Sequence, residues 1–352
     1  MNTPTSLSVA RSGPTPLRLS GPLLAVLAGL AALGALSTNI ILPALPRMAS
    51  DLRASTDDVG WVQSGFFLAF AVGQLFVGPV SDRWGRRAPV LGGLALFIAG
   101  SVLCAWAPTL PLLGSAMEYG PGWCASFALV ALLGLLLALA YMTVVGETHP
   151  SDRRAATTPG EVLRGYAALA RDARFISPAF AVSVIIGGLY AFFAATPAVL
   201  MGRMGLSALQ LGLFFAGTVF VVFAAGMLAP RLAHRWGAAR VAGAGCVVAL
   251  VGALALLVGA EGSGLAYFTG AVVLYLLGMG LVNPLGTAMA LGPFSRQAGL
   301  ASSLLGALQM ACAGGMTALA SLAGRNPAMA LGLVLTAASV LALAALTVRR
   351  QR

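Results

Sequence analysis

Gly78-Pro-Val-Ser-Asp82-Arg83-Trp-Gly85-Arg86-Arg87 puts four charges into its last six residues, between two long stretches that carry none. Two glycines and a proline allow a sharp chain reversal here. A degenerate copy, Ala233-His-Arg-Trp-Gly237, repeats Ser81-Asp-Arg-Trp-Gly85 at an offset of 152 residues, again between apolar stretches. The chain reads as two related halves, each pivoting on a basic turn.

Outside these turns charge is scarce. Hydrophobic residues make up 59% of the 352 and charged ones 9%, against about 25% charged in soluble domains. The 31 charges leave ten uncharged intervals: 19–46, 59–81, 88–117, 119–146, 175–202, 204–230, 241–260, 262–295, 297–324 and 326–348. Each can cross a hydrocarbon core of about 30 Å, which takes about 20 helical residues. In lipid the backbone must bond internally, so apolar runs of this length form helices. The expected fold is an all-α polytopic membrane protein with about ten transmembrane helices, four in the N-terminal half and six in the C-terminal half.

Orientation follows from arginine, the only basic residue type besides two histidines. With the N-terminus cytoplasmic, 17 arginines lie inside and four outside (Arg47, Arg53, Arg203, Arg325). The positive-inside rule then puts both termini of this multi-pass membrane protein in the cytoplasm. The net charge of +11 follows from this topology and from anionic membrane lipid as a partner. No basic, aromatic-interleaved soluble stretch exists, which argues against nucleic acid. Cys104, Cys124, Cys246 and Cys312 lie in apolar runs without a CxxC, as small buried hydrophobes do.

The expected organisation is a cytoplasmic tail at 1–20, a shortened transmembrane bundle at 21–146, a linker at 147–174, a six-helix bundle at 175–348 and a tail at 349–352. Asp51 to Asp58 read as an acidic external loop. In the linker, Thr158-Pro-Gly-Glu161 has the pattern of a capping box with proline at the first helical position. Val162, Leu163, Tyr166 and Leu169 then share a face, which predicts a short interfacial helix.

The turn at 78–87 matches G-x-x-x-D-R-x-G-R-R, and with it the chain resembles the major facilitator superfamily. Ser37-Thr-Asn-Ile-Ile-Leu-Pro-Ala-Leu-Pro46, Ala195-Thr-Pro-Ala-Val-Leu200 and Gly278-Met-Gly-Leu-Val-Asn-Pro284, with Ala298-Gly-Leu-Ala-Ser-Ser303 and Gln309, are similar to its Bcr/CflA-type drug/proton antiporters. The resemblance implies inner-membrane multidrug efflux, normally coupled to protons, on a twelve-helix fold. Leu112-Leu-Gly-Ser-Ala116 resembles the start of the family's fourth helix, and Gly122-Trp-Cys-Ala-Ser-Phe127 the beginning of its sixth. The fourth and fifth helices therefore look missing at Met117–Glu118. The expectation is that a second copy, giving a homodimer, or lipid fills the open flank. The rival expectation is a remnant that no longer transports.

The resemblance gives the turn two readings. In one, Gly78, Asp82, Arg83, Gly85, Arg86 and Arg87 form a cytoplasmic gate, with Asp82 against the positive start of the helix near Gln297–Leu300 and Ser295 as its cap. In the other it is a plain positive-inside turn. Asn39 stands where the antiporters carry a titratable Asp, so the usual proton route is in doubt. Asn39 is either a substrate contact or a helix–helix hydrogen bond. Gln63, Tyr190, Phe193, Asn283 and Gln309 are candidate cavity residues, beside the alternative of ordinary helix packing; an apolar, aromatic cavity suits lipophilic or amphipathic small molecules. Pro197 and Pro284 mark kinks. His149 and His234 have no catalytic or metal-ligand spacing, and no Walker loop is present, so neither an enzyme, a metal nor a cofactor is expected.

Overall fold

A computed structural model describes residues 21–39, 56–106, 123–145, 158–260, 262, 264–322 and 326–348. Among them are eleven α-helices: α1 (Gly21–Asn39), α2 (Thr56–Trp84), α3 (Arg87–Trp106), α4 (Trp123–Val144), α5 (Pro159–Arg171), α6 (Ala173–Pro197), α7 (Ala208–Trp236), α8 (Ala238–Val258), α9 (Leu265–Leu291), α10 (Ala298–Leu322) and α11 (Pro327–Val348). Eight, α2, α4 and α6 to α11, are long and apolar enough to cross a membrane. The apolar stretches described in α1 and α3, Gly21–Gly34 and Arg87–Leu103, are shorter.

The basic turn is tighter than its composition implies. Gly78 and Pro79 do not break the chain; they lie inside α2, and the reversal falls on Gly85 at φ 89°. Only a residue without a β-carbon enters that region freely. α7 ends the same way, on Trp236 and on Gly237 at φ 85°. Both helices are 29 residues long and start 152 residues apart, so the repeat seen in five residues extends over a whole helix. α2 also starts earlier than expected: Asp57 and Asp58 belong to its first turn rather than to a loop, where acidic residues favour a helix.

The main core lies among α6, α8, α9, α10 and α11, with Phe175, Ile185, Leu276, Leu331 and Leu335 fully buried. The first half holds two smaller clusters, Val26 with Tyr141 and Val145, and Leu33 with Leu94 and Val130. In that half α4 packs on α1 and α3, and α2 touches α3 only lightly. α2 lies instead along α10 of the other half.

The linker helix α5 is built as its sequence implies. Thr158 N–H donates to Glu161 Oε2 at 2.8 Å, and Glu161 N–H donates to Thr158 Oγ1 at 3.4 Å. Leu169 is buried and Val162 and Tyr166 are half-buried, but Leu163 points outward, 70% exposed. It sits about 100° around the helix from Val162, off the stripe that 162, 166 and 169 share. Asp172 ends α5 and caps α6 by accepting from the Arg174 amide at 2.8 Å. One residue therefore joins the linker to the second bundle.

Candidate functional site

Two i, i+4 pairs build the contact between the halves. Gly78 and Asp82 share a face of α2, and Gly299 and Ser303 share a face of α10. A β-carbon at Gly78 would collide with the Ser303 hydroxyl and lie 2.7 Å from the Gly299 carbonyl oxygen. One at Gly299 would collide with the Asp82 carboxylate. Further along, Gly306 faces Gln74, and Gly314 faces the Ser64 carbonyl and Phe67. The helices thus run antiparallel in close register, through small residues that let backbones approach.

Asp82 is half-buried beside the first turn of α10, within the stretch Gln297–Leu300. Gly299, with no side chain, leaves the room on that turn that the carboxylate occupies. Ser295 is not at the helix start; it lies within the 3-10 turn Gly292–Gln297 that leads into α10. Arg83 and Arg86 are exposed, and Arg87 Nη2 donates to the Met142 carbonyl at 3.0 Å, at the end of α4. Gly85 is buried.

Tyr166, on the apolar face of α5, also makes a polar contact. Its hydroxyl donates to the Leu75 carbonyl at 2.7 Å. Burial and the charge of Asp82 push the phenol up, against a hydrogen bond with Ser303 that lowers it.

The cavity candidates are dispersed. Tyr190 on α6 packs at a tilt of 57° against Phe67 of α2, ring centres 4.6 Å apart, and Phe193 packs on Phe192 and Phe215, both at 5.3 Å. Asn283 lines an open groove on one face of α9 with Thr287, Leu291 and Ser295. Gln309 is half-buried on α10. Among the described residues no hydrogen bond or ring contact joins Tyr190, Asn283 and Gln309. The side chains of Asn39 and Gln63 lie outside the described residues. Pro197 leads into a π-helical turn, Ala198–Arg203, while α9 continues through Pro284. At the end of the second bundle far from Asp82, Arg203 Nη1 donates to the Ala260 carbonyl and to Asn326 Oδ1, both at 2.9 Å. It borders a cavity of about 190 Å³ with Tyr267, Phe268 and Leu256.

Comparison with known proteins agrees with this architecture. The chain is 26% identical to multidrug resistance protein D of Escherichia coli K12 over 373 aligned positions, covering 89% of this chain and 92% of the relative. It is 25% identical to the uncharacterized MFS-type transporter YdgK of Bacillus subtilis over 339 positions, covering 80% and 84%. It is 24% identical to multidrug resistance protein MdtL of E. coli over 332 positions, covering 77% and 81%. Among solved structures it superposes on the nucleoside transporter NupG with a TM-score of 0.64 at 14% identity, covering 93% of this chain and 98% of that one. A bacterial homologue of the iron transporter ferroportin in its outward-facing state gives 0.62 at 15% identity, with the same coverage. The sequence profile of the Major Facilitator Superfamily matches residues 27–117 and 108–318. On that match the chain belongs to the Major Facilitator Superfamily of transporters.

Proposed function

We propose that this chain is an inner-membrane efflux transporter for small lipophilic or amphipathic compounds, with its arginine-rich face toward the cytoplasm. Asp82, seated on the first turn of α10, closes that face and favours the outward-open state. The observation that carries the reading is this seat, since a half-buried carboxylate at a helix start is a contact that movement of one half against the other breaks. The relatives named for multidrug resistance support the substrate class. None of the ten uncharged intervals supplies a carboxylate at membrane depth, so proton coupling would need a different group from the mid-span acid of the antiporters.

A second reading, a non-transporting remnant, draws support from the alignments. The 373 positions shared with multidrug resistance protein D take in 89% of a 352-residue chain. About sixty positions therefore have no residue of this chain opposite, enough for two crossings of about 20 residues with their connections. Packing agrees. The pairs α1–α4, α3–α4 and α2–α3 mirror α6–α11, α8–α11 and α7–α8. By that correspondence the described residues of the first half hold no counterparts of α9 and α10, which supports a loss of the family's helices four and five. The open groove at Asn283 is then a place for lipid or for a second copy, and a strictly monomeric protein in detergent would count against the dimer.

Drug accumulation in cells decides between the readings. Cells expressing this chain are expected to accumulate less of a lipophilic cationic dye than cells with an empty vector. Reduced accumulation only after two helices are restored between Met117 and Glu118 would mark the chain as a remnant.

A further inference from the structure

Residue 79 is proline, so α2 has no N–H to offer the carbonyl of Leu75 four residues earlier. In a membrane helix such a carbonyl has to be met by another group. Here the donor is the Tyr166 hydroxyl, 91 residues further along the chain, at 2.7 Å. Tyr166 is half-buried and interacts with Ser303 and Asp82. The preceding residue also meets α10, since a β-carbon at Gly165 would lie 3.0 Å from Leu300 Cδ1. Asp172 ties α5 directly to α6, so the linker helix is anchored to the second bundle.

We propose that Tyr166 latches the linker helix onto the α2–α10 seam through the hydrogen bond that Pro79 leaves unmade. The latch holds the end of the molecule that Asp82 closes, and in that role it rests on the gate reading above. Separation of α2 from α10 must break the Tyr166–Leu75 bond or pull α5 along. Tyr166 is thus a positioning residue that touches both halves from the linker, while Asp82 belongs to α2 itself and meets α10 at Gly299.

Because the carbonyl is orphaned by one known residue, the latch can be made redundant. In Pro79→Ala the restored amide bonds Leu75 within the helix, and the Tyr166 hydroxyl loses its purpose. The test is hydrogen–deuterium exchange of the full chain in lipid nanodiscs, followed in peptides covering 159–171 and 298–303. Tyr166→Phe is expected to speed exchange about fivefold, the size of one net hydrogen bond. In the Pro79→Ala background the same change should have less than about a twofold effect. Unchanged exchange in Tyr166→Phe would overturn the latch, and so would equal acceleration in both backgrounds, which marks ring packing instead. Unaltered transport by Asp82→Asn with the Pro79-dependent acceleration present would sink the gate and leave the latch. Transport lost in Asp82→Asn with exchange unmoved by Tyr166→Phe would sink the latch alone.

Discussion

Helices α2 and α7 share length, register in the repeat and a Trp–Gly ending with the glycine at positive φ, yet their surroundings differ. α2 has a long partner in α10, and its Phe67 is buried against Tyr190. α7 packs on α8 and α9 and turns Phe220, Phe223 and Met227 outward. Their last turns differ by one decisive side chain, for His234 stands where Asp82 would repeat. The same backbone thus serves as a seam between the halves in one case, and in the other packs within its own half and exposes its outer face. Local sequence makes the turn; the neighbouring helix decides what the turn can do.

That contrast can be broken most severely at its charged position. Asp82→Asn is expected to cut vesicle transport by about tenfold or more, the equivalent of roughly 1–2 kcal/mol lost at a half-buried helix start. His234→Asn should leave transport unaltered, and equal losses in the two would show that the halves use their turns alike. A smaller effect is expected from bulk. Gly78→Val has to displace Ser303 or the α10 backbone and should lower thermal stability in detergent by about 1–3 kcal/mol. Gly217→Val on α7, with nothing within 4 Å of its β-carbon, should melt like the parent. The smallest contrast between the halves is expected at the turns themselves. Gly85→Ala and Gly237→Ala each force a β-carbon into positive φ, costing about 1–3 kcal/mol; unequal losses would mean the turns are less alike than their φ angles.

Much of this was legible along the chain because it is local. Trp84-Gly85 and Trp236-Gly237 announce their turns, and Thr158 with Glu161 announces the start of α5. The stretch Gln297–Leu300 could be named as a neighbour for Asp82 because a carboxylate is attracted to helix starts, and Gly299 lies there. Gly78 and Pro79 misled, since in water they punctuate a chain and in a membrane helix neighbouring groups make good the lost bond. Leu163 misled because a helix of 13 residues packed along the 162–166–169 stripe leaves this apolar neighbour outside. The bond from Tyr166 to Leu75 could not be read, because it spans two elements and no local period records their register. Dispersal of Tyr190, Asn283 and Gln309 was hidden for the same reason: polarity marks a residue without saying which others it will face.

Arg203 has a consequence for how such a molecule would change shape. A single guanidinium strings together the π-turn after α6, Ala260 just beyond α8 and the residue before α11. Three elements of the second bundle are thereby tied together at that end. In a rocking of one half against the other, those three segments are expected to travel together.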